Sequence, residues 1–243
     1  MDLGYNTHVG MVREQNEDSL LVLEKLLPEF NVFAVADGMG GHNAGEVASK
    51  MAIREIEDFF KDHQRDRDFI ISREYIGQLI SHINMKIYER ANSEPHLKGM
   101  GTTLTLIIHF KRTIHIAHIG DSRAYRINNQ EIQQLTEDHS LVAGLIKEGK
   151  ITKEEAQVHP QKNVITRALG TDIEIQADVY RYKISDGETI MICSDGLTNS
   201  LTEAEIKNIV NRNDSLQKAA DDLVQQANIS GGRDNITVIL FQC

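Results

Sequence analysis

The sequence predicts an α+β fold: two stacked antiparallel β-sheets, a β-sandwich, flanked by pairs of α-helices. Three observations predict it. Apolar segments follow the order strands, two helices, a long run of strands, two helices and a closing strand, so helices and sheets segregate into layers. Strands in the middle run are joined by turns too short for a parallel crossover, which implies antiparallel pairing. The helical segments carry apolar residues on one face, and each pair needs a sheet to cover it.

Residues 1–9 and 18–24 read as strands, followed by a third over 31–36, where Val32-Phe33-Ala34-Val35-Ala36 is a buried apolar run. Ala48, Met51, Ala52, Ile56 and Phe59 share one helical face, and Ile76, Leu79, Ile80, Ile83 and Ile87 share another. The charged stretch around Asp62 to Asp68 reads as a solvated connection. Strands then run over Thr103–His109, Thr113–Ile119, Arg123–Ile127 and Glu131–Leu135, with turns at Lys111-Arg112 and Asn128-Asn129. Residues 138–170 are polar and interrupt the strands, so they should project from the sheet. There, Ser140 to Lys150 looks helical, and Thr152 with Glu155 forms a capping box. Strands over 174–184 and 188–193 follow, with Asp186-Gly187 reading as a plain hairpin turn. A second capping box, Thr202 with Glu205, opens a helix that turns Ile206, Ile209 and Val210 inward. Leu216, Ala219, Ala220, Leu223 and Ala227 line the last helix, and Asn235–Phe241 closes the sheet.

The 243 residues are expected to form one domain, since no repeat, linker or low-complexity tract divides them. A formal net charge of −10 argues against nonspecific nucleic-acid binding and suits carboxylates awaiting cations. The apolar runs are strand-sized, so no membrane span is expected. The first residues lack the basic start and apolar stretch of a signal peptide. The two cysteines, Cys193 and Cys243, form no metal-type pair or disulfide framework, and a reducing, cytoplasmic setting is the default.

Chemistry concentrates in acids beside apolar strands. Asp37 follows Val-Phe-Ala-Val-Ala and leads into Gly38-Met39-Gly40-Gly41-His42. Asp121 follows Ile116-Ala117-His118-Ile119-Gly120, and Asp195 follows Ile190-Met191-Ile192-Cys193-Ser194. Asp234 precedes the closing strand, while Glu17 and Asp18 open the second. Each alone is ordinary turn or cap chemistry. If those strand ends converge, so many carboxylates cannot stay ionised together without cations. Oxygen-only ligands favour hard ions such as Mg²⁺ or Mn²⁺. His115 and His118 point to opposite faces of one strand and cannot share a metal.

Arg13-x-x-Asn16-x-Asp18, Asp37-Gly38-Met39-Gly40-Gly41-His42, Gly101-Thr102-Thr103, His118-Ile119-Gly120-Asp121-Ser122-Arg123, Leu135-Thr136-Glu137-Asp138-His139-Ser140, Ser194-Asp195-Gly196-Leu197 and Gly232-x-Asp234-Asn235 occur in this order. Together they resemble the metal-dependent Ser/Thr protein phosphatases of the type 2C (PPM) family, in the compact bacterial form. The resemblance covers essentially the whole chain. It implies two Mn²⁺ or Mg²⁺ ions, with Asp37 bridging them. Asp195 and Asp234 would serve the first ion, and Glu17 with the Gly38 carbonyl the second. Asp121, with Asp195, would hold a third, weaker ion. Asp18 would orient the attacking water, and Arg13 would grip the substrate phosphate. Residues 140–170 would be the family's flap. Some members carry a histidine general acid directly after Asp-Gly; this chain has Met39 there, with His42 three residues later. The implied partners are phosphorylated proteins and a cognate Ser/Thr kinase, and the implied form is a monomer.

Paired divalent ions lower the pKa of water from 15.7 toward about 7 and offset phosphoryl charge. Other phosphatase chemistries lack their residues. A cysteine phosphatase needs an arginine where this chain has Asn199 after Cys193, and the lone Asp-x-Asp, Asp66-Arg67-Asp68, follows no strand. No Gly-x4-Gly-Lys loop is present. The alternative reading is a non-catalytic regulator of the same fold that senses metal or phosphoprotein.

Overall fold

The computed structural model describes residues 1–27, 30–41, 44–62 and 72–242. His42 and most of the charged stretch that begins at Asp62 lie outside the described residues.

One sheet has the order β1 (Asp2–His8), β11 (Ile236–Gln242), β10 (Thr189–Cys193), β7 (Arg123–Ile127) and β8 (Ile132–Gln134). The other has the order β2 (Asp18–Leu27), β3 (Phe30–Met39), β5 (Leu104–Phe110), β6 (Thr113–Ile119) and β9 (Asp178–Lys183), with β4 (Gly101–Thr102) paired to the end of β3. Every pairing is antiparallel, as the short turns predict. Helices α1 (Ala44–Asp62) and α2 (Arg73–Ser93) cover the second sheet, and α6 (Glu203–Arg212) and α7 (Leu216–Ile229) cover the first. Between them in sequence lie α3 (Leu141–Lys147), α4 (Lys153–Gln157) and α5 (Asp195–Thr198).

Three apolar layers hold the sandwich. In β3, Val32, Ala34 and Ala36 face the α1–α2 layer, while Phe33 and Val35 face the opposing sheet. A strand buried on both faces reads as a continuous apolar run, which is why alternation is missing there. Phe33 stacks on Phe241 of β11 with ring centroids 4.4 Å apart, joining the two sheets. Beneath α6 and α7, Tyr125, Met191, Val238 and Leu240 form the third layer.

Several expectations need correction. The strand expected over 174–184 begins only at Asp178, because its neighbour β6 leaves the sheet at Gly120 and the last pair is His118 with Asp178. Asp186-Gly187 is a turn, with Gly187 at φ +85°, but not a hairpin turn: it carries the chain from β9 in one sheet to β10 in the other. The short link between β6 and β7 also crosses between sheets. Short turns therefore do not always mean paired strands, since a sandwich edge can be crossed in a few residues. Asp37 is not the last residue of its strand, because β3 continues through Gly38 and Met39 against β4. Both capping boxes form as expected, at Thr152–Glu155 and Thr202–Glu205. In the polar segment, α3 buries none of its residues and α4 only Ala156.

Candidate active site

Strand register brings the acids to one end of the sandwich. Asp18, opening β2, pairs with Asp37 near the end of β3. Val35 pairs with Thr105 at the start of β5, and Leu104 with Ile119 at the end of β6. The three-residue link carrying Asp121 then crosses to Arg123, which pairs with Cys193 at the end of β10. Cys193 in turn pairs with Val238 near the start of β11. Asp195 and Asp234 thus flank the same rim as Glu17, Asp18, Asp37 and Asp121.

Glycines allow the close approaches. A Cβ on Gly38 would lie 2.1 Å from the Gly45 carbonyl oxygen, and one on Gly45 would lie 2.9 Å from Glu17 Cδ. The start of α1 therefore sits directly on the Asp37-Gly38 peptide and on Glu17. A Cβ on Gly196 would lie 2.0 Å from the Asn235 carbonyl oxygen, so the Asp195 and Asp234 segments touch through backbone.

The electrostatics are those of crowded acids. Burial first, and then Asp18, Asp195, Asp121 and Asp234, hold the Asp37 carboxyl well above the ordinary carboxylate range. Asp195 is raised by burial and Asp234, against the opposing pull of Arg123 and Asn199. Asp18 is raised by burial despite hydrogen bonds from Thr237 and Ser194, and Asp121 by burial and then by Asp195 and Asp138. Glu17 is raised by burial, with Arg13 opposing. Asp37 and Asp195 are close enough for each to influence the other's pKa. Both lie deep among protein atoms yet keep some open surface.

The donor set fits hard divalent cations. All its members are oxygens. Asp18 Oδ1 and Asp121 Oδ1 are buried without a hydrogen-bond partner among the described residues, an arrangement that costs free energy unless something else satisfies them. Among the described residues, no group of three or more His, Cys, Asp or Glu side chains is already arranged to hold an ion. The acids are near enough to raise one another's pKa, which is a looser condition than a preformed cage.

Comparison with known proteins settles the family. The protein phosphatase 2C family model matches residues 12–232. The chain belongs to the protein phosphatase 2C family. As a member it is a protein phosphatase, a hydrolase. It is 41% identical over 242 residues to a serine/threonine phosphatase, stp, of Listeria welshimeri, covering 100% of this chain and 96% of that one. Among solved structures, the serine/threonine phosphatase Stp1 of Staphylococcus aureus is similar at a TM-score of 0.92 and 35% identity, covering 100% of this chain and 95% of that chain. The catalytic domain of the serine threonine protein phosphatase PstP, in complex with 2 manganese ions, is similar at a TM-score of 0.85 and 32% identity over 98% of this chain and 96% of that one.

The phosphatase places its expected residues unevenly. Glu17, Asp18, Asp37, Gly38, Asp121, Asp195 and Asp234 share the rim. Arg13 is there too, half exposed, with Nη2 donating to Asp234 Oδ2 at 2.9 Å rather than to Glu14 or Glu17. Supporting residues escaped sequence reasoning. Asn235 Nδ2 donates to the carbonyls of Val9 at 2.9 Å and Gln15 at 2.8 Å, while its Oδ1 accepts the Glu17 N–H at 2.8 Å. It staples the Arg13 loop and Glu17 to Asp234. Ser194 Oγ donates to Asp18 Oδ2 at 2.7 Å, and Thr103 Oγ1 accepts the Asp37 N–H at 3.0 Å. All three stand inside motifs quoted above, but nothing in the sequence assigned them a supporting role.

Proposed function

We propose that this phosphatase hydrolyses phosphoserine and phosphothreonine esters of proteins at a centre of two Mn²⁺ or Mg²⁺ ions, opposing a Ser/Thr kinase. The observation that carries the reading is the gathering of six carboxylates from distant parts of the chain, two with unpartnered buried oxygens, beside an exposed arginine. The names of the relatives and the manganese in the PstP complex support it.

In this reading Asp37 would serve both ions, with Asp195 and Asp234 serving one and Glu17 with the Gly38 carbonyl the other. Asp121, together with Asp195, would hold a third and weaker ion. When bound, such ions act as Lewis acids that ease deprotonation of water and offset phosphoryl charge. The remaining work belongs to the chain. Among the described residues the Arg13 guanidinium bonds only Asp234, through Nη2, so its other donors are free for two parallel hydrogen bonds to phosphate. Asp18 Oδ1 accepts a hydrogen bond from the attacking water and aims it, while Ser194 fixes the other carboxylate oxygen. His42 remains the candidate proton donor to the leaving alcohol. The chain acts as one domain and as a monomer, with residues 140–170 as a flap beside the active site. No helix among the described residues is long and apolar enough to cross a membrane. The buried free thiol of Cys193 suits a cytoplasmic setting.

The direct test is release of inorganic phosphate from a phosphothreonine peptide with Mn²⁺. A folded, manganese-loaded protein that released none would overturn the proposal. Asp37→Ala and Asp195→Ala should each lower turnover by more than about 100-fold, beyond what residues that merely support ligands cost. Calorimetry should show weakened Mn²⁺ binding in the same variants.

A further inference from the structure

The motif Leu135 to Ser140 supplies no residue given a role in the reaction above, yet its histidine sits against the site. His139 is buried, with 3% of its surface exposed. Its backbone N–H donates to the Gly120 carbonyl at 2.7 Å, and its ring Nδ1 accepts the Gly120 N–H at 3.1 Å. These two bonds hold Gly120, the residue immediately before Asp121, by both its N–H and its carbonyl. The grip is tight on the far side as well. Gly120 has φ +106°, and a Cβ there would lie 2.5 Å from the Thr103 side chain. The segment carrying Asp121 is therefore wedged between β5's entry and His139.

The other side of His139 belongs to the projecting segment. Because Nδ1 accepts, the proton is on Nε2, which donates to Asp178 Oδ2 at 3.2 Å. Asp178 Oδ1 in turn accepts from Arg167 Nη1 at 3.1 Å. The His139 carbonyl accepts the Thr166 N–H at 2.8 Å, and the Leu141 N–H donates to Val164 at 2.8 Å. Both stems of the 140–170 segment thus meet at His139. The His118 ring packs 4.9 Å from it and holds Thr105 and the Glu137 carbonyl, so the histidine cannot swing away without disturbing β5.

We propose that His139 is a positioning residue that ties the posture of the 140–170 segment to the placement of Asp121, with Asp178 and Arg167 fixing its tautomer and orientation. It touches neither substrate nor ion. It acts through Gly120. The two Mn²⁺ readouts rest on the reading above, which makes Asp121 a ligand; the Gly120 exchange readout does not.

The test compares His139→Leu, which removes the ring acceptor, with His139→Asn, whose Oδ1 can replace Nδ1 as the acceptor for the Gly120 N–H. In His139→Leu, amide hydrogen exchange at Gly120 should speed up, and calorimetric Mn²⁺ affinity and the Mn²⁺ concentration for half-activation should both worsen by about tenfold. His139→Asn should restore most of each. The Leu substitution should add little on top of Asp121→Ala, because both act on one carboxylate. Unchanged Gly120 exchange in His139→Leu would overturn the proposal. So would an effect on Mn²⁺ that simply multiplies with that of Asp121→Ala. Should His139→Leu lack a cooperative melt, Asp178→Asn carries the test, since that side chain is 32% exposed. A smaller change in the same direction at the Gly120 amide is expected, and no change overturns the proposal.

Discussion

Asn235 shows how much of this site rests on residues that do no chemistry. Its side-chain amide makes three hydrogen bonds, two given and one received, to three separate points of the loop that ends at Glu17. In Asn235→Ala those backbone groups lose partners in a part-buried setting, at about 1–3 kcal/mol. Chemical denaturation should show that loss, and Mn²⁺ binding should weaken with it because Glu17 is no longer held. His118 sets a pH limit at the same scale. Burial, with His139 beside it, pushes the imidazole down to about 4. The unfolded chain protonates near 6.5, so between those values the unfolded state holds the extra proton. Stability from this group is therefore complete above about pH 6.5, falls as the pH drops toward 4, and amounts to roughly 3 kcal/mol. Urea midpoints measured from pH 7 to pH 4.5 should fall more steeply for the wild type than for His118→Gln.

At the level of elements, the helices are closed by local chemistry and held by one apolar face. Thr202 accepts the Glu205 N–H while the Glu205 carboxylate accepts the Thr202 N–H, which satisfies two otherwise orphaned donors of α6. Thr202→Ala should lower stability by about 1 kcal/mol, seen as a lower melting temperature with activity retained at low temperature. Such elements are legible because their cause is local: a cap is written within four residues, and an apolar face within two turns. The β6–β7 and β9–β10 connections are not. Their turn residues look like those of hairpins, and only the partner on each side decides whether a strand pairs back or crosses to the other sheet. Crossing is what puts Asp121 between the two sheets.

For the whole molecule, the oxygens that cost the fold stability are the ones a bound cation would satisfy. Clustered carboxylates raise one another's pKa, and two of their oxygens lie buried without partners. A divalent cation that binds the folded state alone should stabilise it by about 2.7 kcal/mol at 100 times its dissociation constant. Thermal melts should rise on adding Mn²⁺ and return on adding a chelator. No shift in a protein that demonstrably folds would contradict the ligand assignment.

The sequence alone determined the layered fold, the capping boxes, the apolar faces and which acids stand beside strands, because periodicity, turn chemistry and motif order are all written locally or in succession. It did not determine that Arg13 rests on Asp234, that Asn235 binds the loop to the rim, or that His139 holds the peptide before Asp121. Those contacts join residues far apart along the chain, and the register of two packed sheets decides them. Hydrogen bonds of that kind leave no period in the sequence, since each depends on where a distant backbone happens to pass.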